Sequence, residues 1–187
     1  MFPDSCVTYV PDRTEESSRV PELSTDPRRR AAQERCLHDI ATHGTHVIRV
    51  FGDDEWPEFA YTIGLFENFG HPELIMLGLP GERAHGFLNS ARDDIRGGSR
   101  FAVGDEVDGI LEGFPVTFRS VPAAHRTAHF GLAEWFYGER EFPCLQMVYP
   151  SRLGPWPWDP EASEDFKRVQ PVLESTPLPE WAVRAPG

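Results

Sequence analysis

From Phe59 to Leu79 the chain reads FAYTIGLFENFGHPELIMLGL, two apolar runs around a short polar loop that ends in His71-Pro72-Glu73. In the first run Phe59, Tyr61, Ile63 and Leu65 fall on one face of a strand, and Ala60, Thr62 and Gly64 on the other. The small face allows close approach to the backbone. The second run, Leu74 to Leu79, is apolar at both parities, as a central strand is. Pro72 biases His71 towards an extended conformation. The pattern therefore places His71 and Glu73 at the mouth of a buried sheet.

The flanking segments are read the same way. Residues 1-26 have little periodicity and are expected to form a disordered or loosely attached arm. Asp26-Pro27 is an N-cap followed by a first-turn proline, and predicts a helix from about Arg28 to Thr42 that stops at His43-Gly44. Thr45 to Phe51 is a strand with His46, Ile48 and Val50 on one face, joined to the Phe59 strand as a hairpin or meander neighbour. Ala84, Phe87, Leu88, Ala91 and Ile95 follow helical spacing between Pro80-Gly81 and Gly97-Gly98. Residues 99–113 are expected as a loop or short strand. Phe114 to Val121 alternates, and Pro115 suits it to a sheet edge. A helical stripe of Phe130, Ala133, Phe136 and Tyr137 precedes a buried strand at Pro143 to Tyr149. GPWPWDP, residues 154–160, is too rich in proline for regular structure and reads as an aromatic clamp. A short helix near Glu161 to Val169 follows. The expected class is α+β: a mainly antiparallel five- or six-stranded sheet, with room for barrel-like closure, and two or three packed helices. Residues 27-170 form the single globular domain of this reading, and 171-187 a loose Pro-rich tail.

Composition narrows the function classes. A chain of 187 residues is one domain long enough to bury a core. Its net charge of −12 argues against nucleic acid as a partner through a basic face. Lys167 is the only lysine among 18 basic residues, a bias common in GC-rich bacterial genomes. Cys6, Cys36 and Cys144 are odd in number and lack C-x-x-C spacing, so neither a disulfide framework nor a zinc ribbon is expected. No apolar run reaches membrane-spanning length and no signal peptide is recognised before residue 30, so a cytoplasmic protein is expected.

The central stretch resembles a bacterial family, domain of unknown function 4262. The resemblance rests on His46-Val47, Tyr61-Thr62-Ile63-Gly64-Leu65, His71-Pro72-Glu73-Leu74, and Phe142-Pro143 with Gln146, together with Gly154 and Pro157-Trp158. Thr45 stands where that family commonly has tryptophan, and Ser151 where it commonly has aspartate. The resemblance implies a family and no activity. The rhythm of a small-residue strand, a short loop, a Pro-led strand and a helix is also similar to flavin-reductase-like split barrels, at the level of fold.

His46, Tyr61, His71, Glu73 and Gln146 interrupt apolar strands or stand at their ends, where an unpaired polar group is costly. One explanation is a shared pocket. In it His46, His71 and Glu73 are the catalytic candidates, since a histidine oriented by a carboxylate moves protons near neutral pH. Tyr61, Thr62, Gln146 and Trp158 are the candidate substrate-binding residues, for a small molecule or peptide. The alternative is that these groups satisfy backbone amides at strand ends. A metal set built from His43, His46, His71, Glu73 or His85 matches no established zinc spacing, so no metal is assigned. His125 and His129 lie four apart but lack the glutamate of HExxH. No nucleophile elbow, Walker loop or G-x-G-x-x-G occurs. Three functions remain: a small acid–base or hydrolytic enzyme, a binding module for a flavin-like or other small ligand, and an interaction protein such as an immunity or accessory factor. Cofactor and oligomeric state are left open by the sequence.

Overall fold

The computed structural model describes residues 21–54 and 56–178. In chain order the elements are α1 (Pro27–His43), β1 (His46–Val50), β2 (Phe59–Ile63), α2 (Leu65–Phe69), β3 (Glu73–Leu77), α3 (Gly81–Arg96), β4 (Glu106–Leu111), β5 (Phe114–Ser120), α4 (Ala123–His129), α5 (Gly131–Tyr137), β6 (Cys144–Val148) and α6 (Glu164–Val169). The strands form one six-stranded sheet in the order β1-β2-β3-β6-β5-β4.

The class is α+β, as the patterns imply, but three details differ. The sheet is mixed: β3 and β6 run parallel, whereas the other four pairings are antiparallel. The chain leaves β3 through α3 and the β4–β5 hairpin, then returns through α4 and α5, so β6 inserts beside β3 in the same direction. The sheet is open, with β1 and β4 unpaired at its edges, so it is not the barrel that the split-barrel rhythm suggested. Six helices are present among the described residues instead of two or three. The additional ones are short. α2 occupies what reads as a polar loop, and the chain breaks at Phe130 (φ −104, ψ 39) to separate α4 from α5.

Both sheet faces are covered, which explains the burial of every residue of β2, β3 and β6. On one face Ala60, Leu74, Met76, Phe118 and Met147 pack against Ala84, Leu88, Ala91 and Ile95 of α3. On the other, Phe59, Tyr61, Ile63, Ile75 and Leu77 meet Cys36 and Ile40 of α1 and Phe130, Ala133 and Tyr137 around α5. At roughly 1.5–3 kcal/mol per buried large apolar side chain, these two layers dominate stability. α1 starts where Asp26 accepts the Arg29 amide at 2.8 Å and stops at Gly44 (φ 82), where any Cβ would press on the Phe69 ring.

β5 is an interior strand, contrary to the edge position expected from Pro115. The proline is tolerated because the β4–β5 register is irregular between Val107 and Leu111, opposite it, so no ladder donor is needed there. The segment expected to be a loose tail begins anchored: Leu173 is fully buried and Gln146 grips its amide. Most of the expected N-terminal arm, residues 1–20, and residues 179–187 lie outside the described residues. No described helix is long and apolar enough to cross a membrane.

Candidate functional site

Glu73 opens β3 with its carboxylate fully buried. One oxygen, Oε1, accepts the Gly64 amide at 2.8 Å, the Phe66 amide at 3.1 Å and a very short bond from the Tyr137 hydroxyl. The other, Oε2, accepts the Thr62 hydroxyl at 2.6 Å, and Thr62 in turn accepts the Leu74 amide at 2.8 Å. β2 reaches this point as a strand and then turns through Gly64 (φ 106) into α2, so the first amides of that helix point at the carboxylate. Gly64 admits no side chain, because a Cβ would lie 2.8 Å from the Gly44 carbonyl. Burial raises the Glu73 pKa, and the four donors oppose the rise without cancelling it. The same burial, followed by the Glu73 charge, pushes the Tyr137 pKa upward.

His71 lies two residues away and faces elsewhere. Its Nδ1–H donates to the Pro72 carbonyl at 2.8 Å, and Nε2 accepts the Phe101 amide at 3.1 Å. Both nitrogens are used, the tautomer is fixed, and burial lowers the pKa, so the ring is neutral. His46 forms a separate pair: its Nδ1–H donates to Asp39 Oδ2 at 2.7 Å from a half-buried position.

The remaining candidates are dispersed. Tyr61 accepts the Leu132 amide at 3.2 Å through its hydroxyl, and burial moves its pKa up to about 12. Gln146 donates to the Pro171 carbonyl and accepts the Leu173 amide, each at 2.8 Å. Trp158 is exposed, stacked on Trp156 with ring centroids 5.3 Å apart, and capped by the Arg119 guanidinium at 4.1 Å. Among the seven candidates, only Thr62 and Glu73 bond to one another directly. Tyr137, Asp39 and Phe101 are partners that the patterns did not announce: Tyr137 is 64 residues from Glu73, Phe101 contributes only a backbone amide, and Asp39 reaches His46 across the turn between α1 and β1. Gln170, which pairs with both backbone groups of Tyr149, was likewise hidden. Among the described residues no three His, Cys, Asp or Glu side chains converge to hold a metal ion.

A concave surface exists elsewhere. An open groove of about 930 Å³ runs between α3 and the β4–β5 hairpin. Gly86, Phe87 and Ser90 line it from α3, and Asp108, Glu112 and Phe114 from the hairpin.

A family model described as Domain of unknown function (DUF4262) matches residues 39–163, well over half of the chain. The chain belongs to this family. The DUF4262 match begins at Asp39, the partner of His46, and runs to Ser163, the N-cap of α6, taking in the Glu73 cluster and both walls of the groove. No curated protein and no solved structure matches the chain.

Proposed function

We propose that this DUF4262 chain is a non-catalytic binding module whose ligand seat is the groove between α3 and the β4–β5 hairpin, while the Glu73 cluster and His71 hold the sheet mouth together. The observation that carries this reading is Gly86. It sits mid-helix in α3 and lines the groove. Its φ is not positive, and an added Cβ would meet nothing within 4 Å, so neither turn geometry nor packing requires glycine. Glycine inside a helix costs about 1 kcal/mol relative to alanine. A wall kept bare at that cost is what a ligand approaching the helix backbone requires. The other candidates support the same division: His71 and Glu73 spend their polar atoms on the fold's own amides. Titrating labelled protein with a library of fragments and short peptides tests this reading. Amide shifts should collect at residues 83–90 and 108–114 and vanish in Gly86→Trp. Groove amides that stay still across the library contradict it.

The 2.7 Å contact between His46 and Asp39 favours a second reading, acid–base catalysis. In it Asp39 orients the ring and His46 Nε2 moves the proton. Generic ester, amide and phosphoester substrates would then be turned over by the wild type and not by His46→Gln, and inactivity of the wild type on all of them counts against it.

A further inference from the structure

We infer that the occupant of the groove is an extended, basic segment of another protein, laid along the open edge of β4. This rests on the binding-module reading and adds the partner's chemistry. Three observations carry it. β4 is the last strand of the sheet and pairs only with β5, so its outer side offers unpaired backbone donors and acceptors next to the groove. Beneath that edge the floor is apolar, formed by the half-buried Phe87 and Phe114 with Ile110 and Leu111. The hairpin side carries charge of one sign, while Arg83 stands on the α3 wall. Asp105, Glu106, Asp108 and Glu112 are all exposed, and no Lys, Arg or His occurs from Phe101 to Phe118.

Each feature selects among occupants. A strand's side chains alternate, so a segment with apolar residues at every second position fills the floor and turns the others towards the carboxylates. Those others are Lys or Arg where they meet Asp108 and Glu112, the acids that line the groove, on the side away from Arg83. A second copy of this chain is disfavoured, because it presents the same acids in and beside β4 and its net charge is −12. The chain's own first twenty residues are unsuited as well, with Asp4, Asp12, Glu15 and Glu16 against Arg13 and Arg19.

The probe is a short synthetic peptide of alternating lysine and valine, with alternating glutamate–valine and serine–valine peptides as controls, titrated into the full chain by calorimetry and amide NMR. The lysine peptide should bind, shift residues 83–90 and 105–114, protect β4 amides from exchange, and weaken as salt is raised. Asp108→Asn and Glu112→Gln should each weaken it by about two- to fivefold, the range for an exposed charge pair. Gly86→Trp should abolish it. If the serine or glutamate peptide binds the groove equally well, the basic partner class is overturned while the binding module stands. If no peptide or fragment moves a groove amide, both fail. A dimer that dissociates in Val107→Pro makes a second copy the occupant and overturns the inference.

Discussion

Removing the Glu73 carboxylate should unfold the sheet mouth, and the size of the effect follows from its partners. In Glu73→Ala the Phe66 amide and the Thr62 hydroxyl lose their acceptor. The Tyr137 hydroxyl also has nowhere to donate, though it still accepts the Gly64 amide at 3.2 Å. Two to three buried donors left unmet at about 1–3 kcal/mol each give a loss of roughly 2–9 kcal/mol. That approaches the total stability of an ordinary domain. Glu73→Gln differs. Its carbonyl can occupy the Oε1 position and keep three donors, leaving only the Thr62 contact reversed, a cost of about 1–2 kcal/mol. The pH dependence has a definite sign. Because the folded pKa of Glu73 is raised, the proton is held more tightly in the folded state. Its contribution is complete below the unfolded value and is lost as pH rises through the folded one. The stability gap between wild type and Glu73→Gln should therefore narrow as pH rises. Urea unfolding followed by tryptophan fluorescence across that range measures both effects. An alanine variant as stable as wild type, or a gap that widens with pH, would refute the reasoning.

Three further outcomes are expected. Gln146→Leu leaves the Pro171 carbonyl and Leu173 amide unpaired, so it should lose about 2 kcal/mol and expose the chain after residue 170 to limited proteolysis; unchanged cleavage removes the strap role. Burial lowers His129 to about 4, so the unfolded chain binds its proton first, and stability should fall by up to about 3 kcal/mol as pH drops from 6.5 towards 4; a urea midpoint that holds steady over that window contradicts the burial. Gly86→Ala should raise the thermal midpoint, through about 1 kcal/mol of helix propensity, without shifting amides of the sheet; a destabilised variant shows that glycine is needed by the fold itself.

The long apolar runs made much of this fold legible. Alternation assigned β2 and its two faces, double-sided burial assigned β3, and the helical stripe assigned α3 with its buried residues, because each is a local periodicity with one partner layer per face. Topology was not local. Nothing between Leu79 and Pro143 states that β6 will insert beside β3, so the parallel pairing and the open sheet could only be seen in three dimensions. Pro115 misled for a related reason: its tolerance depends on an irregularity in the neighbouring strand. The polar residues at strand ends were found correctly as costly groups needing partners. Their partners are mostly backbone groups, which every residue carries, so the sequence could not separate a pocket from a set of latches. The groove left a fainter trace in the bare Gly86, a mid-helix glycine between Ala84 and Leu88.

The most direct test is the map of amide shifts when the lysine–valine peptide is added to the labelled chain. Shifts confined to residues 83–90 and 105–114, with 62–74 unmoved, are expected if the groove is the working surface and the Glu73 cluster serves the fold. Shifts centred on His46, His71, Glu73 and Tyr137, with the groove silent, would contradict that division.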